Sequence, residues 1–333
     1  MSVQTPIRMA ILGCGGMAGG HAQHFAAHPD VELVALCDVS EEVVQGFIER
    51  NLSESNAKPQ IFTDAATMYE EARPDAVTIV TPHTMHFDHG KQAIEAGCHV
   101  FMEKPMVTDS TQAHELAKLV EESGKIFVIG YNSPCSPQYH YIRELIRNKE
   151  LGNLETVTMW MTQDWKRPTA GTWRQKPELS GGGQMYDSGA HVFNSLVWSV
   201  EQPVAEVFAF VDNLGAPVDI NGTANIRFED GTLAVVTIVG NCPTGAASAC
   251  YSFDNGRIEV NPWTGADLRV WKGTEEIEPE LEGQVGLPGD NFIDAILGRT
   301  EPRTSPKNGV MQSELMDAIY QSAQTGQVAK VAR

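Results

Sequence analysis

The stretch Ile7-Arg8-Met9-Ala10-Ile11-Leu12-Gly13-Cys14-Gly15-Gly16-Met17-Ala18 decides the architecture. Its first half is an apolar run of strand length, its second half a glycine cluster, and Ala18, Ala22, Phe25 and Ala26 then recur at helical spacing. Strand, tight turn and helix follow in that order. The pattern repeats along the chain: ELVALCD (32–38) precedes a helix from Glu41, and DAVTIVT (75–81) precedes a helix over about 86–96. HVFME (99–103) leads to a helix with Thr108 or Asp109 as its N-cap and Gly124 as its stop. Strands alternating with helices imply a parallel, doubly wound sheet covered on both faces.

After IFVIGY (126–131) the period changes. A helix over about 137–148 leads into runs with period-two alternation at 154–164, 204–210, 225–230, 232–240, 249–253, 257–260 and 267–271. Such runs predict an open, mainly antiparallel sheet with helices on one face, its hairpins turning at Glu229-Asp230-Gly231 and Asp254-Asn255-Gly256. A helix over 184–198 interrupts the strands, and helices over 289–297 and 307–324 close the chain. Two domains are expected, 1–132 and 133–333, since a single core rarely grows past about 250–300 residues.

Composition excludes several classes. With 42% hydrophobic and 20% charged residues the chain is neither disordered nor fibrous. The 24 Lys+Arg against 43 Asp+Glu leave a net charge of −19, which repels phosphate backbones and anionic lipid heads, so no nucleic-acid or membrane partner is expected. The cysteines are scattered without a C-x-x-C pair, and MAILG is too short and too soon broken for a signal peptide; a cytoplasmic protein is expected.

Gly13-Cys14-Gly15-Gly16-Met17-Ala18 matches G-x-G-x-x-G/A between a strand and a helix, the context of the dinucleotide fingerprint. Gly13 permits the turn, Gly15 admits a pyrophosphate, and Ala18 allows close helix packing. The helix N–H groups would hold the phosphates. Asp38, about 20 residues on at the end of the second strand, is placed to accept from ribose hydroxyls and to repel a 2′-phosphate. NAD is favoured over NADP.

Four further segments carry a resemblance. Thr81-Pro82-His83-Thr84-Met85-His86, the run Ala96 to Pro105 ending in Glu103-Lys104-Pro105, Gly130-Tyr131-Asn132, and Gly181-Gly182-Gly183-Gln184-Met185-Tyr186-Asp187-Ser188-Gly189-Ala190-His191 resemble the Gfo/Idh/MocA oxidoreductases in order and spacing. The resemblance implies an N-terminal Rossmann domain, a C-terminal open sheet, and hydride transfer at a hydroxyl or ketone of a sugar, cyclitol or similar polyol. It implies catalytic roles for Lys104, Asp187 and His191, and cofactor contacts at Gly13, Cys14, Gly15, Gly16, Met17, Ala18, Asp38, Val39, Thr81, Pro82, His83, His86, Glu103, Lys104 and Asn132. The chain departs from the family at Ser133-Pro134-Cys135-Ser136-Pro137, where a basic residue and a phenylalanine are common, so no particular substrate carries over.

The residue types suit that chemistry. A secondary alcohol losing hydride needs a base for its hydroxyl proton, and Asp187 and His191, four apart on a predicted helix, would project from one face. Lys104 would hydrogen-bond the reacting oxygen and favour its developing charge. Trp165 and Trp173, with Arg174, are candidate substrate or nicotinamide-side contacts because sugars stack C–H faces on aromatic rings. Trp160 reads as core or interface packing. Histidines at 21, 24 and 28 and at 83, 86 and 89 are not assigned to a metal, since hydride transfer needs none. Two other readings fit the same fold: an NAD-dependent glycoside hydrolase with no net redox change, and a non-catalytic NAD(P)-binding regulator. The uncovered face of the second sheet implies a homodimer or homotetramer.

Overall fold

In the computed structural model, which describes residues 5–283 and 286–331, the chain divides into two compact units. The first comprises the chain up to Val107 with Thr111–Gly130 and Leu287–Pro306, and the second Thr108–Ser110, Tyr131–Gly286 and the chain from Lys307 onward.

The first unit runs β1 (Ile7–Leu12), α1 (Ala18–Ala27), β2 (Val31–Cys37), α2 (Glu41–Asn51), β3 (Gln60–Phe62), α3 (Ala65–Ala72), β4 (Ala76–Ile79), α4 (His86–Glu95), β5 (His99–Met102), α5 (Ser110–Ser123) and β6 (Phe127–Ile129). All six strands pair in parallel, in the order β3-β2-β1-β4-β5-β6. The order reverses between β1 and β4, and α/β sheets bind ligands outside the carboxyl ends of strands at such a point. Both faces are covered, so Met9, Ile11, Val77, Ile79, Val100 and Phe101 are all buried. The sequence reading passed over β3 and α3. The strand has only three residues, and α3 announces itself by a cap, Asp64, whose carboxylate accepts from Thr67 N at 2.8 Å.

The second unit holds α6 (Pro137–Asn148), β7 (Leu154–Asp164), α7 (Pro177–Ser180), α8 (Gly189–Val200), β8 (Val204–Asp212), β9 (Asn221–Phe228), β10 (Leu233–Val239), β11 (Asn241–Phe253), β12 (Gly256–Val260), β13 (Arg269–Lys272) and β14 (Glu275–Ile277). The chain returns to the first unit in α9 (Pro288–Ile296), whose Phe292 and Ile293 are fully buried there. It ends in the second with α10 (Pro306–Thr325) and β15 (Ala329–Lys330). The nine strands form one sheet, β14-β13-β12-β11-β7-β10-β9-β8-β15, in which β7 and β10 alone among the described pairs run parallel. One face buries Val157, Met159, Ala234, Val236, Ile238, Ala224 and Ile226 with residues of α6, α8 and α10. The other face is open. Register aligns Trp160 with Thr237, Thr223 and Phe210 across four strands, and Trp160, Leu233, Val235 and Phe210 are exposed.

One expectation is corrected. The helix expected over 184–198 begins at Gly189, and 184–188 form an irregular turn in which Gly189 N donates to Gln184 O and His191 N to Ser188 O. Asp187 therefore precedes the helix and does not share a helical face with His191.

Candidate active site

In the first unit the glycine turn closes β1 onto its neighbours. Gly13 has φ +98°, and an added Cβ would lie 2.7 Å from Val80 O, so the end of β4 excludes any side chain there. Around Gly15 and Gly16 an added Cβ meets nothing within 4 Å. The N-terminus of α1 has no side-chain cap and no acidic residue in its first turn, which leaves its orphan N–H groups to an anion. These features fit a dinucleotide pyrophosphate. Ala18 is fully buried, Met17 is exposed, and Cys14 is buried.

Asp38 ties the turn to β2. Its Oδ2 accepts from Cys14 N at 2.7 Å and its Oδ1 from Val39 N at 2.7 Å, while the Val39 side chain stands out in solvent. Burial, with Asp38 beside it, pushes the Cys14 thiol up to about 12, so it is no nucleophile.

The loops after β4 and β5 are joined by His86. This fully buried ring sets Nε2 2.8 Å from Thr81 O and Nδ1 2.7 Å from Pro105 O. Burial lowers its pKa, against the pull of both carbonyls and of Glu103. With both nitrogens on backbone, His86 holds the Thr81 and Lys104 loops together. Thr81 Oγ1 lies 2.9 Å from His89 Nδ1, Pro82 is half-buried, and the buried His83 meets His86 edge-on at 5.9 Å. Glu103 is pinned on both sides, Oε1 at 2.8 Å from His21 Nε2 and Oε2 accepting from Lys104 N at 3.1 Å. Lys104 itself is half-buried, ahead of a cis peptide bond to Pro105. Sequence reasoning weighed His21 only within a histidine set left without a metal and did not foresee its contact with Glu103. His24 pairs with Asp290 at 2.9 Å, and no group of three potential ligands among the described residues could hold a metal ion.

The second unit gathers most of the expected substrate residues. The buried Asp187 accepts from Trp165 Nε1 at 2.7 Å and from Arg174 Nε at 3.0 Å, both on Oδ2. Arg174 in turn lies over the Trp173 ring, 4.7 Å from its centroid. His191, in the first turn of α8, is buried against two rings: Trp263, which sequence reasoning missed, stacked at 4.5 Å and 16°, and Tyr131 of the Gly130-Tyr131-Asn132 segment, perpendicular at 5.7 Å. Asn132 is exposed ahead of a single helical turn at Ser133–Cys135. Trp160 stands apart on the open sheet face. The cluster offers an imidazole fixed by stacking, a carboxylate fixed by two donors, and a half-exposed guanidinium braced on an indole, a set able to move one proton and to grip oxygens.

Comparison with known proteins places the fold in a family. Residues 7–131 match the oxidoreductase family with an NAD-binding Rossmann fold, and residues 139–261 match the GFO/IDH/MocA C-terminal domain. The D-glucoside 3-dehydrogenase of Escherichia coli is 30% identical over 61% of this chain, a match that spans 56% of that protein. The NADP(+)-dependent D-xylose 1-dehydrogenase of Haloarcula marismortui is 24% identical over 97% of this chain and 93% of its own length. The crystal structure of the Caulobacter crescentus aldose-aldose oxidoreductase with glycerol superposes with a TM-score of 0.83 at 22% identity, covering 97% of this chain and 99% of that one, a likeness of fold. Both halves of the sequence thus match one family's two domains in order, and the chain belongs to the Gfo/Idh/MocA oxidoreductases.

Proposed function

We propose that this protein is an NAD-dependent dehydrogenase that transfers a hydride between nicotinamide and a secondary hydroxyl or ketone of a sugar, cyclitol or related polyol. The observation that carries the reading is the cluster of the second unit, where Trp165 and Arg174 converge on Asp187 and His191 is held by Trp263. The sugar dehydrogenases among the relatives support the substrate class.

Bound nicotinamide supplies a carbon that accepts or returns a hydride. The chain's own residues do the rest. His191 takes the hydroxyl proton on oxidation and returns it on reduction, and stacking on Trp263 fixes the ring for that exchange. Lys104 donates a hydrogen bond to the reacting oxygen and stabilises its developing charge. Asp187, anchored by two donors, accepts from a substrate hydroxyl beside the reacting carbon. Arg174 and Trp173 offer a donor edge and an apolar face to the ring of a sugar. Gly13 to Ala18 and Asp38 hold the dinucleotide, and Asp38 selects NAD. The open sheet face joins a second copy of the chain. The free cysteines, four of them buried, suit a reducing compartment, the cytoplasm.

A panel of neutral sugars, glucosides, inositols and keto-sugars with NAD(H) and NADP(H), followed by absorbance and product together, tests the reading. Turnover with a matching change in NADH is expected, reduced by about 10²-fold or more in Lys104→Ala and His191→Ala with cofactor binding retained. Substrate cleavage without net NADH change would replace this reading with a redox-neutral glycosidase.

A further inference from the structure

Asp219 lies just ahead of β9, buried, and its carboxylate accepts three hydrogen bonds. Gly183 N and the Tyr320 hydroxyl donate to Oδ1, both at 2.6 Å, and Met185 N donates to Oδ2 at 2.8 Å. Its own carbonyl oxygen accepts from Gln184 N at 2.9 Å. Three successive amides are therefore bound by one residue. The glycine run is shaped around this contact. A Cβ added at Gly183 would lie 1.9 Å from Asp219 O, and one at Gly182 would lie 2.5 Å from the Tyr320 hydroxyl. Tyr320 also stacks on Tyr186, the neighbour of Asp187, at 5.6 Å and 11°.

We propose that Asp219, backed by Tyr320, is a positioning residue for the reaction: it fixes the turn over 183–188 so that Asp187 and His191 are presented in one geometry. The inference rests on the dehydrogenase reading above. A buried carboxylate must keep its donors, so the bound amides have little freedom. Asp187 comes two residues after the last bound amide, and His191 follows four residues later in the first turn of α8. A displacement of about 1 Å at such groups is enough to cost a reaction about 10²-fold. Asp219 acts through the backbone, which is why its role shows in rate and not in cofactor affinity.

The test compares Asp219→Asn and Tyr320→Phe with the parent and with His191→Ala, using NAD and the panel sugar turned over fastest. Asp219→Asn places an amide N–H against donors that need an acceptor; Tyr320→Phe removes one hydroxyl. A fall in kcat of about tenfold or more is expected for Asp219→Asn and about two- to fivefold for Tyr320→Phe. NADH Kd should stay within about twofold, and the primary deuterium isotope effect on kcat should rise. A folded Asp219→Asn with kcat within about twofold of the parent, whatever its Tm, overturns the proposal; if that variant does not fold, an unchanged kcat in Tyr320→Phe overturns it. Turnover in His191→Ala within about twofold of the parent would instead sink the catalytic reading itself. If no panel sugar is turned over, crystal structures of parent and folded variant decide, a shift of Asp187 and His191 below about 0.5 Å counting against positioning.

Discussion

Asp38 illustrates how much a single side chain can carry. Its position after the second strand is plain in the sequence, and so is its expected conflict with a 2′-phosphate. What the sequence does not show is that both carboxylate oxygens also receive main-chain amides, those of Cys14 and Val39, because that depends on β1 and β2 closing side by side. Asp38→Ser should lower kcat/KM with NAD by about tenfold or more and raise the NADP-to-NAD preference, as kinetics with both cofactors will show; an unchanged preference removes Asp38 from cofactor selection. His86 teaches the same lesson. Its place in the Thr81–His86 motif suggests a ligand contact, yet both ring nitrogens face carbonyls of the chain. Trp263 and Tyr131, which enclose His191, carry no spacing that links them to it before the chain is folded.

Among the elements, the parallel strands other than β3 and the long strands of the second sheet were legible because their apolar runs and alternations are strong. The start of α8 was not. Every residue from Gly189 to Val200 is buried, so no polar face marks where the helix begins, and the turn before it is set by Asp219, remote in sequence. The far end of α8 is fixed by charge. Glu201 follows it with φ +56° and pairs with Arg143 and Arg147 of α6. Burial alone would raise this carboxyl, but the two guanidiniums outweigh it and bring it from an ordinary 4.5 to about 2. A depressed folded-state pKa means stability that is full above the ordinary value and lost as pH falls toward 2. Glu201→Gln should therefore lower Tm at pH 7 by about 3–6 °C, given ~1–2 kcal/mol for a partly exposed pair, and leave it nearly unchanged near pH 2. Equal losses at both pH values in thermal scans would show that packing, and not charge, joins these helices.

At the scale of the whole molecule, a charge of −19 is compatible with holding an anionic dinucleotide, because the donors at the start of α1 are backbone amides. The open face of the nine-stranded sheet, with Trp160 and Phe210 in one row, predicts a particle of two or four 36.3 kDa chains by light scattering, weakened by Trp160→Lys. A monomer for the parent chain would refute it. The return of α9 to the first unit bears on how the protein is made. Phe292 and Ile293 help fill the core around Phe101 and Val128, yet they are synthesised only after almost the entire second unit. On a ribosome adding about 5–20 residues per second, the nascent first unit must wait many seconds with part of its core unfilled. A stop codon near 286 would leave that apolar surface permanently bare, a target for chaperones and proteases instead of a free-standing nucleotide-binding module.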